Sequence, residues 1–268
     1  MRIETLLTPA ELPALAQRDL SGTTCVVFDI LRATSAFVTA LQHGAKEIIA
    51  VSEIAEAVAR REQQPEVLLA GERDGVRIRK WLGQPAGELP HRETDRDTRA
   101  GCPGHYSPVD FDFGNSPREF RPEKVRGKTI VSTTTNGTRA LRACAGAKVL
   151  LASSFLNLAA TAKFLNQLPT EELLLVCAGT GEATALEDVL AAGALAGLIE
   201  GDHSDATEIA VRAFLAAKAD LPAVIASSQN ARRLLAISEL RADVAFCAQR
   251  DIFKIVVAMD SGSIIRKG

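Results

Sequence analysis

"KTIVSTTTNGTRALRACAGAKVLLASS", residues 128–154, contains a whole strand–turn–helix–strand unit. The β-branched run 128–133 predicts a buried strand, "NGTRALRACAG" a capped helix ending near Gly146, and 147–154 a second strand. The turn carries Ser132, Thr133, Thr134, Thr135, Asn136, Gly137 and Thr138. Two readings stand. Asn136 or Thr138 caps the helix and nothing more, or the surplus of hydroxyls joins the backbone N–H groups at the helix start in a cradle for an anion. Gly137 would let a ligand approach the backbone closely. The loop is not a P-loop, because GxxxxGK[ST] is absent.

The same layout extends both ways. Upstream, "TTCVVFDI" (23–30) reads as a strand, followed by a helix that Thr34 or Ser35 can cap and that ends at Gly44. A strand at 46–52, a helix over 53–64 and a strand at 66–72 come next. Downstream, 155–167 reads as a helix, 172–180 as a strand and 184–201 as a long helix, and the tail from Ser227 as a helix followed by short strands. "GAKEIIAVS" (44–52) and "GAKVLLASS" (146–154) invite an internal duplication of βαβ units, although similar physics alone can produce similar units. Alternating strands and helices predict an α/β fold with a mainly parallel sheet covered on both faces. Ligands in such sheets bind at the carboxyl ends of strands. Three ends are unusually polar: "FDILRAT" (28–34), "STTTNGT" (132–138) and "CAGTGEAT" (177–184). Between Asp74 and Val109 the chain is rich in Arg, Gly and Pro, lacks apolar periodicity, and reads as a lid, long loop or disordered insert at about 75–109 in a single domain spanning 1–268.

Bulk properties narrow the function. The chain has 268 residues, 47% apolar and 24% charged, which suits a globular protein with its own core. A net charge of −2 gives no broad basic field, so neither nucleic acid nor a membrane surface is expected as partner. No signal peptide or membrane span is read, and five cysteines without CxxC spacing point to buried thiols in a reducing cytoplasm. Four histidines without HxH or HxxxH spacing make histidine-based metal chemistry a poor bet.

Carboxylates and donors at strand ends are the remaining candidates. Asp29 suits a hard cation such as Mg²⁺, and Arg32 could clamp an oxyanion, unless the two simply pair with each other. Glu72 and Arg73 end another strand, where a surface turn is the plainer reading. Thr184 with Glu187 fits a capping box, so Glu187 is either a cap partner or a ligand, and Asp188 in the first turn is left over. Asp110 and Asp112 form a DxD pair without the preceding strand that a phosphate-accepting aspartate would need. Motifs CxxxxxR, RHG and GxSxG are absent.

In sequence order, "VVFDILRATSAFVTAL", "AGERDG", "FDFGNSP", "TTTNGTRAL", "SSFLN" and "CAGT" with "ALEDVLAAG" resemble the 2-phosphosulfolactate phosphatase family, known as ComB. The resemblance runs from about residue 23 to the C-terminus. It implies a three-layer α/β/α fold and a Mg²⁺-dependent phosphatase of coenzyme M biosynthesis. That enzyme converts (R)-2-phospho-3-sulfolactate to 3-sulfolactate and phosphate. One departure is that more than thirty residues separate the GE pair from FDFGNSP, where the family has only a few. Another phosphorylated 2-hydroxy acid stays open as substrate, as does a non-catalytic anion-binding protein, and a homodimer is left open.

The expected mechanism is a phosphomonoester hydrolysis. Asp29, Glu72 and Asp188, with Glu187 as a further candidate, hold Mg²⁺. Thr134, Thr135, Asn136, Gly137 and Thr138 cradle the phosphoryl oxygens, and Arg32 offsets charge developing there. Arg73, Asn115 and Ser154 meet the carboxylate and sulfonate. Activated water is the preferred nucleophile and Asp29 the competitor.

Overall fold

The computed structural model describes residues 1–79, 109–260 and 262–267. The greater part of the lid expected at 75–109, with Trp81 and Tyr106, lies outside the described residues.

The strands are β1 (Arg2–Leu6), β2 (Thr23–Phe28), β3 (Glu47–Ala50), β4 (Leu68–Arg73), β5 (Val76–Arg77), β6 (Thr129–Thr133), β7 (Val149–Ser153), β8 (Glu172–Cys177), β9 (Asp202–His203), β10 (Val256–Asp260) and β11 (Ser263–Lys267). The helices are α1 (Leu12–Leu15), α2 (Ala33–Gln42), α3 (Ile54–Gln63), α4 (Pro122–Val125), α5 (Gly137–Ala143), α6 (Leu158–Gln167), α7 (Leu186–Ala196), α8 (Asp205–Ala217), α9 (Leu221–Ala226), α10 (Gln229–Leu235) and α11 (Arg241–Cys247). The expected strands from 23 to 177 are all present. Strand β1 and helix α8 were not anticipated, and the tail holds α10 and α11 where one helix was expected.

All six residues of β2 are buried, as a strand covered on both faces requires. Val26 and Phe28 point into one core with Leu151, Leu175 and Leu190, while Cys25 and Val27 point into the other with Phe37, Leu41 and Leu141. Helices thus cover both faces, giving three layers. Each large apolar side chain removed from water in this way contributes about 1.5–3 kcal/mol.

The strand order is β5-β4-β6-β3-β11-β10-β7-β2-β8-β1-β9. From β4 to β8 it reads as a palindrome about the β10–β11 hairpin: β4 mirrors β8, β6 mirrors β2, and β3 mirrors β7. The two "GAK" strands, β3 and β7, flank the hairpin. Each half has also exchanged a strand, because β2 leads to β3 in the other half and β6 leads to β7.

The hairpin pairs antiparallel with both neighbours, so the parallel set β4, β6 and β3 runs opposite to β7, β2, β8 and β1. A flat sheet would place their carboxyl ends on opposite edges. Instead the turns after β2 and β6 touch. A Cβ added to Gly137 would stand 2.7 Å from Ala33 Cβ and 2.8 Å from Asp29 Oδ2. The sheet is therefore far from flat, and the carboxyl ends of β2 and β6, one from each half, come together.

Two capping expectations are corrected. Arg32, not Thr34 or Ser35, is the N-cap of α2, and the two hydroxyls turn back to Asp29 O at 3.0 Å and Ile30 O at 2.8 Å. Helix α7 starts after Ala185 without a side-chain cap, so Thr184 and Glu187 form no capping box. Everything from Glu187 to Ala196 is buried, since α8 packs closely enough that a Cβ on Gly193 would lie 2.0 Å from Ala210 O.

Candidate active site

A cleft of about 230 Å³ opens where the carboxyl ends meet. The turn after β2 contributes Asp29, Leu31 and Arg32; the end of β4 and its turn, Glu72, Asp74 and Gly75; the turn after β6, Thr135 and Asn136. Thr180 and Gly181 follow β8, Asn115 comes from the FDFGNSP segment, and Arg233 and Leu234 come from α10. All three polar strand ends read from the sequence reach this cleft.

Asp29 ends β2 and is only 6% exposed. Its Oδ1 accepts from Ala33 N at 3.2 Å, while Oδ2 lies against Gly137. Burial pushes its carboxyl up to about 7; the Ala33 N–H counters this, and Glu72 and Glu187 raise it further. Glu72 is tied at both oxygens. Oε1 accepts from Thr135 N and Thr135 Oγ1, each at 3.0 Å, and Oε2 from Gly75 N at 2.7 Å. The hydroxyl-rich turn is thus locked onto the end of β4 by a carboxylate.

The rest of that turn serves several purposes. Asn136 is the N-cap residue of α5, as one reading had it, but its side chain makes no cap bond; Thr134 Oγ1 instead accepts from Thr138 N at 3.2 Å. Thr138 Oγ1 donates back to Thr134 O at 2.6 Å. Asn136 reaches across the cleft, accepting from Gly181 N at 3.2 Å through Oδ1.

Arg32 does not pair with Asp29. Its Nη1 donates to Asp243 Oδ2 at 2.8 Å, with both side chains almost wholly buried, and its Nη2 to Gly75 O at 2.6 Å. Ser116 Oγ donates to the other Asp243 oxygen at 2.7 Å. One carboxylate on α11 therefore fixes both Arg32 and the segment that carries Asn115.

Asp188 sits behind the cleft. Its two oxygens accept from Ile30 N at 2.8 Å and Gly179 N at 3.0 Å, joining the loops after β2 and β8. Burial, then Asp29 and Glu187, hold its carboxyl well above the usual range. Glu187 is 1% exposed; Oε1 accepts from Asn230 Nδ2 at 3.2 Å and Oε2 is buried without a partner. Two expected residues turn elsewhere. Arg73 donates to Glu72 O, Ser52 O and Thr133 Oγ1, and Ser154 is buried beyond β7, with its N–H donating to Asn157 Oδ1.

Among the described residues no three His, Cys, Asp or Glu side chains converge as a metal-holding group. The donors nevertheless suit Mg²⁺ in kind. They are carboxylate oxygens, and one of them, Glu187 Oε2, is buried and unsatisfied. Mg²⁺ commonly keeps several waters and takes only one or two carboxylates from a protein, so a preformed cage is not required.

Sequence reasoning missed Asp74, Thr180, Asn230, Arg233 and Asp243. For Asp243 a signal existed, since it lies four residues before Cys247 and next to Val244 on the buried face of α11. An acid on an apolar helix face calls for a buried partner. Arg233 offered none.

An α/β chain with buried carboxylates and hydroxyl donors facing a small cleft at its strand ends fits the class of phosphoric monoester hydrolases. The sequence model of the "2-phosphosulpholactate phosphatase" family matches residues 7–84 and 86–262, and the chain belongs to that family. Relatives that it resembles along most of its length bear the name "Probable 2-phosphosulfolactate phosphatase". The one from Thermotoga petrophila is 37% identical over 91% of this chain and 92% of its own. That from Caldanaerobacter subterraneus is 33% identical over 94% and 93%, and that from Synechococcus 31% over 99% of both chains. Among the described residues no helix is long and apolar enough to cross a membrane.

Proposed function

We propose that this chain hydrolyses the phosphomonoester of a small 2-hydroxy acid with the help of Mg²⁺. The family indicates 2-phosphosulfolactate as substrate, giving 3-sulfolactate and phosphate. The carrying observation is the meeting of Asp29, Glu72 and the Thr135–Asn136 turn in one cleft. Asp29, Glu72, Glu187 and Asp188 would hold the ion through oxygen and water. When bound, Mg²⁺ supplies positive charge to the phosphoryl oxygens and lowers the pKa of water.

The chain's own groups do the rest. Arg32, held by Asp243 and Gly75 O, keeps further N–H donors for a phosphoryl oxygen. Glu72 holds Thr135 and the start of α5 against the cleft. Asp29, whose carboxyl burial pushes up to about 7 without the ion, would be held ionised beside bound Mg²⁺ and so be ready as a ligand or as the competing nucleophile. Water is the preferred nucleophile and Asp29 the alternative. Hydrolysis of a phosphoester made chiral at phosphorus with oxygen isotopes separates them, because a single displacement by water inverts the configuration and a double displacement through Asp29 retains it. The reaction belongs in the cytoplasm, in coenzyme M formation if the sulfonate is the true substrate.

Phosphate release from racemic phosphosulfolactate and from phospholactate, each with Mg²⁺ and with EDTA, tests this reading. Mg²⁺-dependent release that is faster with the sulfonate is expected. No release from either substrate would overturn it.

A further inference from the structure

Among the described residues the cleft has two cationic side chains, Arg32 and Arg233. Arg32 is neutralised by Asp243. Arg233, on α10, donates through Nη2 to Asn230 Oδ1 at 2.9 Å and forms no ion pair among the described residues. Asn230 in turn donates to Glu187 Oε1 and Leu31 O, which ties one edge of the Arg233 guanidinium to the carboxylate cluster. Thr180, after β8, also lines the cleft, and its Oγ1 is buried with no hydrogen-bond partner. Thr180 Oγ1 and the Arg233 N–H groups not given to Asn230 thus line a cleft whose other charged groups include Asp29, Glu72 and Asp74. Of the three residues expected to meet the substrate's other anionic groups, Asn115 lines it, while Arg73 and Ser154 do not.

We propose that Arg233 and Thr180 form an oxyanion subsite for the non-reacting acidic group of the substrate, a sulfonate or a carboxylate. The inference rests on the phosphomonoesterase reading. A guanidinium fork and a hydroxyl suit either anion, since both present adjacent oxygens in one plane or tripod. The subsite makes the enzyme selective for phosphoesters that carry a second negative charge.

The test measures kcat/KM of wild type, Arg233→Met, Arg233→Lys and Thr180→Val on three esters with Mg²⁺. These are 2-phosphosulfolactate, phospholactate and isopropyl phosphate, which carries no second anion. A charged hydrogen bond contributes about 1.5–3 kcal/mol, so Arg233→Met should cut the preference for phosphosulfolactate over isopropyl phosphate about 10- to 100-fold, mainly through KM. Arg233→Lys keeps the charge but loses the fork and should fall between. If phospholactate loses as much as phosphosulfolactate, the carboxylate is the group read; if only the sulfonate ester suffers, it is the sulfonate. A preference that holds within about threefold overturns the subsite. Calorimetric binding of 3-sulfolactate to wild type and Arg233→Met provides an arm free of turnover. If wild type hydrolyses none of the esters, the catalytic reading falls, while loss of 3-sulfolactate affinity in the variant still supports the subsite and equal affinity overturns it.

Discussion

Asp29→Asn should inactivate the enzyme and stabilise its fold. Burial displaces the Asp29 carboxyl from 3.8 to about 7, and a displacement of that size is worth about 4 kcal/mol. The folded chain binds this proton more tightly than the unfolded chain. Between pH about 4 and about 7 the native state is therefore the more protonated, and stability falls as pH rises through that window. Below it both states are protonated and above it neither is, so the full penalty stands above about pH 7. Asparagine has the shape of the protonated acid, can still accept from Ala33 N, and carries no charge to bury. Urea unfolding in EDTA, across pH about 5 to 8, should show the variant gaining on wild type as pH rises, by on the order of a few kcal/mol at the alkaline end. Mg²⁺ should then close the gap by stabilising wild type alone. Parallel curves, or a variant weaker than wild type at pH about 8, would refute the account of Asp29 as a buried charge kept for function.

Asp243→Ala leaves Arg32 buried without its carboxylate and should cost about 3–5 kcal/mol in urea unfolding; a loss below about 1 kcal/mol would mean that Arg32 finds another partner. Replacing the pair together, with Asp243→Leu and Arg32→Met, should recover most of that stability but not turnover. Gly137→Ala drives a methyl against Ala33 and Asp29, and should cost about 1–3 kcal/mol and lower kcat; an unchanged kcat would show that the turns after β2 and β6 need no close contact. Thr135→Val removes one donor to Glu72 and should lower kcat/KM about tenfold, with identical kinetics reducing this hydroxyl to a local brace.

The strand ends were legible because their signal is local. A polar cluster that closes a β-branched run, as at Asp29, Thr135 and Thr180, marks a carboxyl end wherever that strand sits in the sheet. Partners were not legible. Asp243 lies 211 residues from Arg32, and nothing near either residue announces the other. Glu72 looked like a surface turn because its acceptors are filled by Thr135, 63 residues away. The capping box at Thr184 fitted by spacing, yet Glu187 is drawn inward by Asn230 on α10. β1, "RIETL", is too short and too mixed to stand out, and its place is set by pairing with β8.

The exchanged strands bear on how the molecule is made. As the chain emerges, β2 meets β7 only after more than a hundred residues have followed it, so the first strand–helix–strand unit cannot settle on itself. Such late pairings make for slow folding. The β10–β11 hairpin, last of the described strands, is what joins β3 to β7. Until it docks, both of those strands present bare edges rich in Ile, Leu and Val, open to pairing with other nascent chains. A ribosome stalled before residue 256 would thus release a chain with two half-sheets and two adhesive rims, a natural substrate for chaperones.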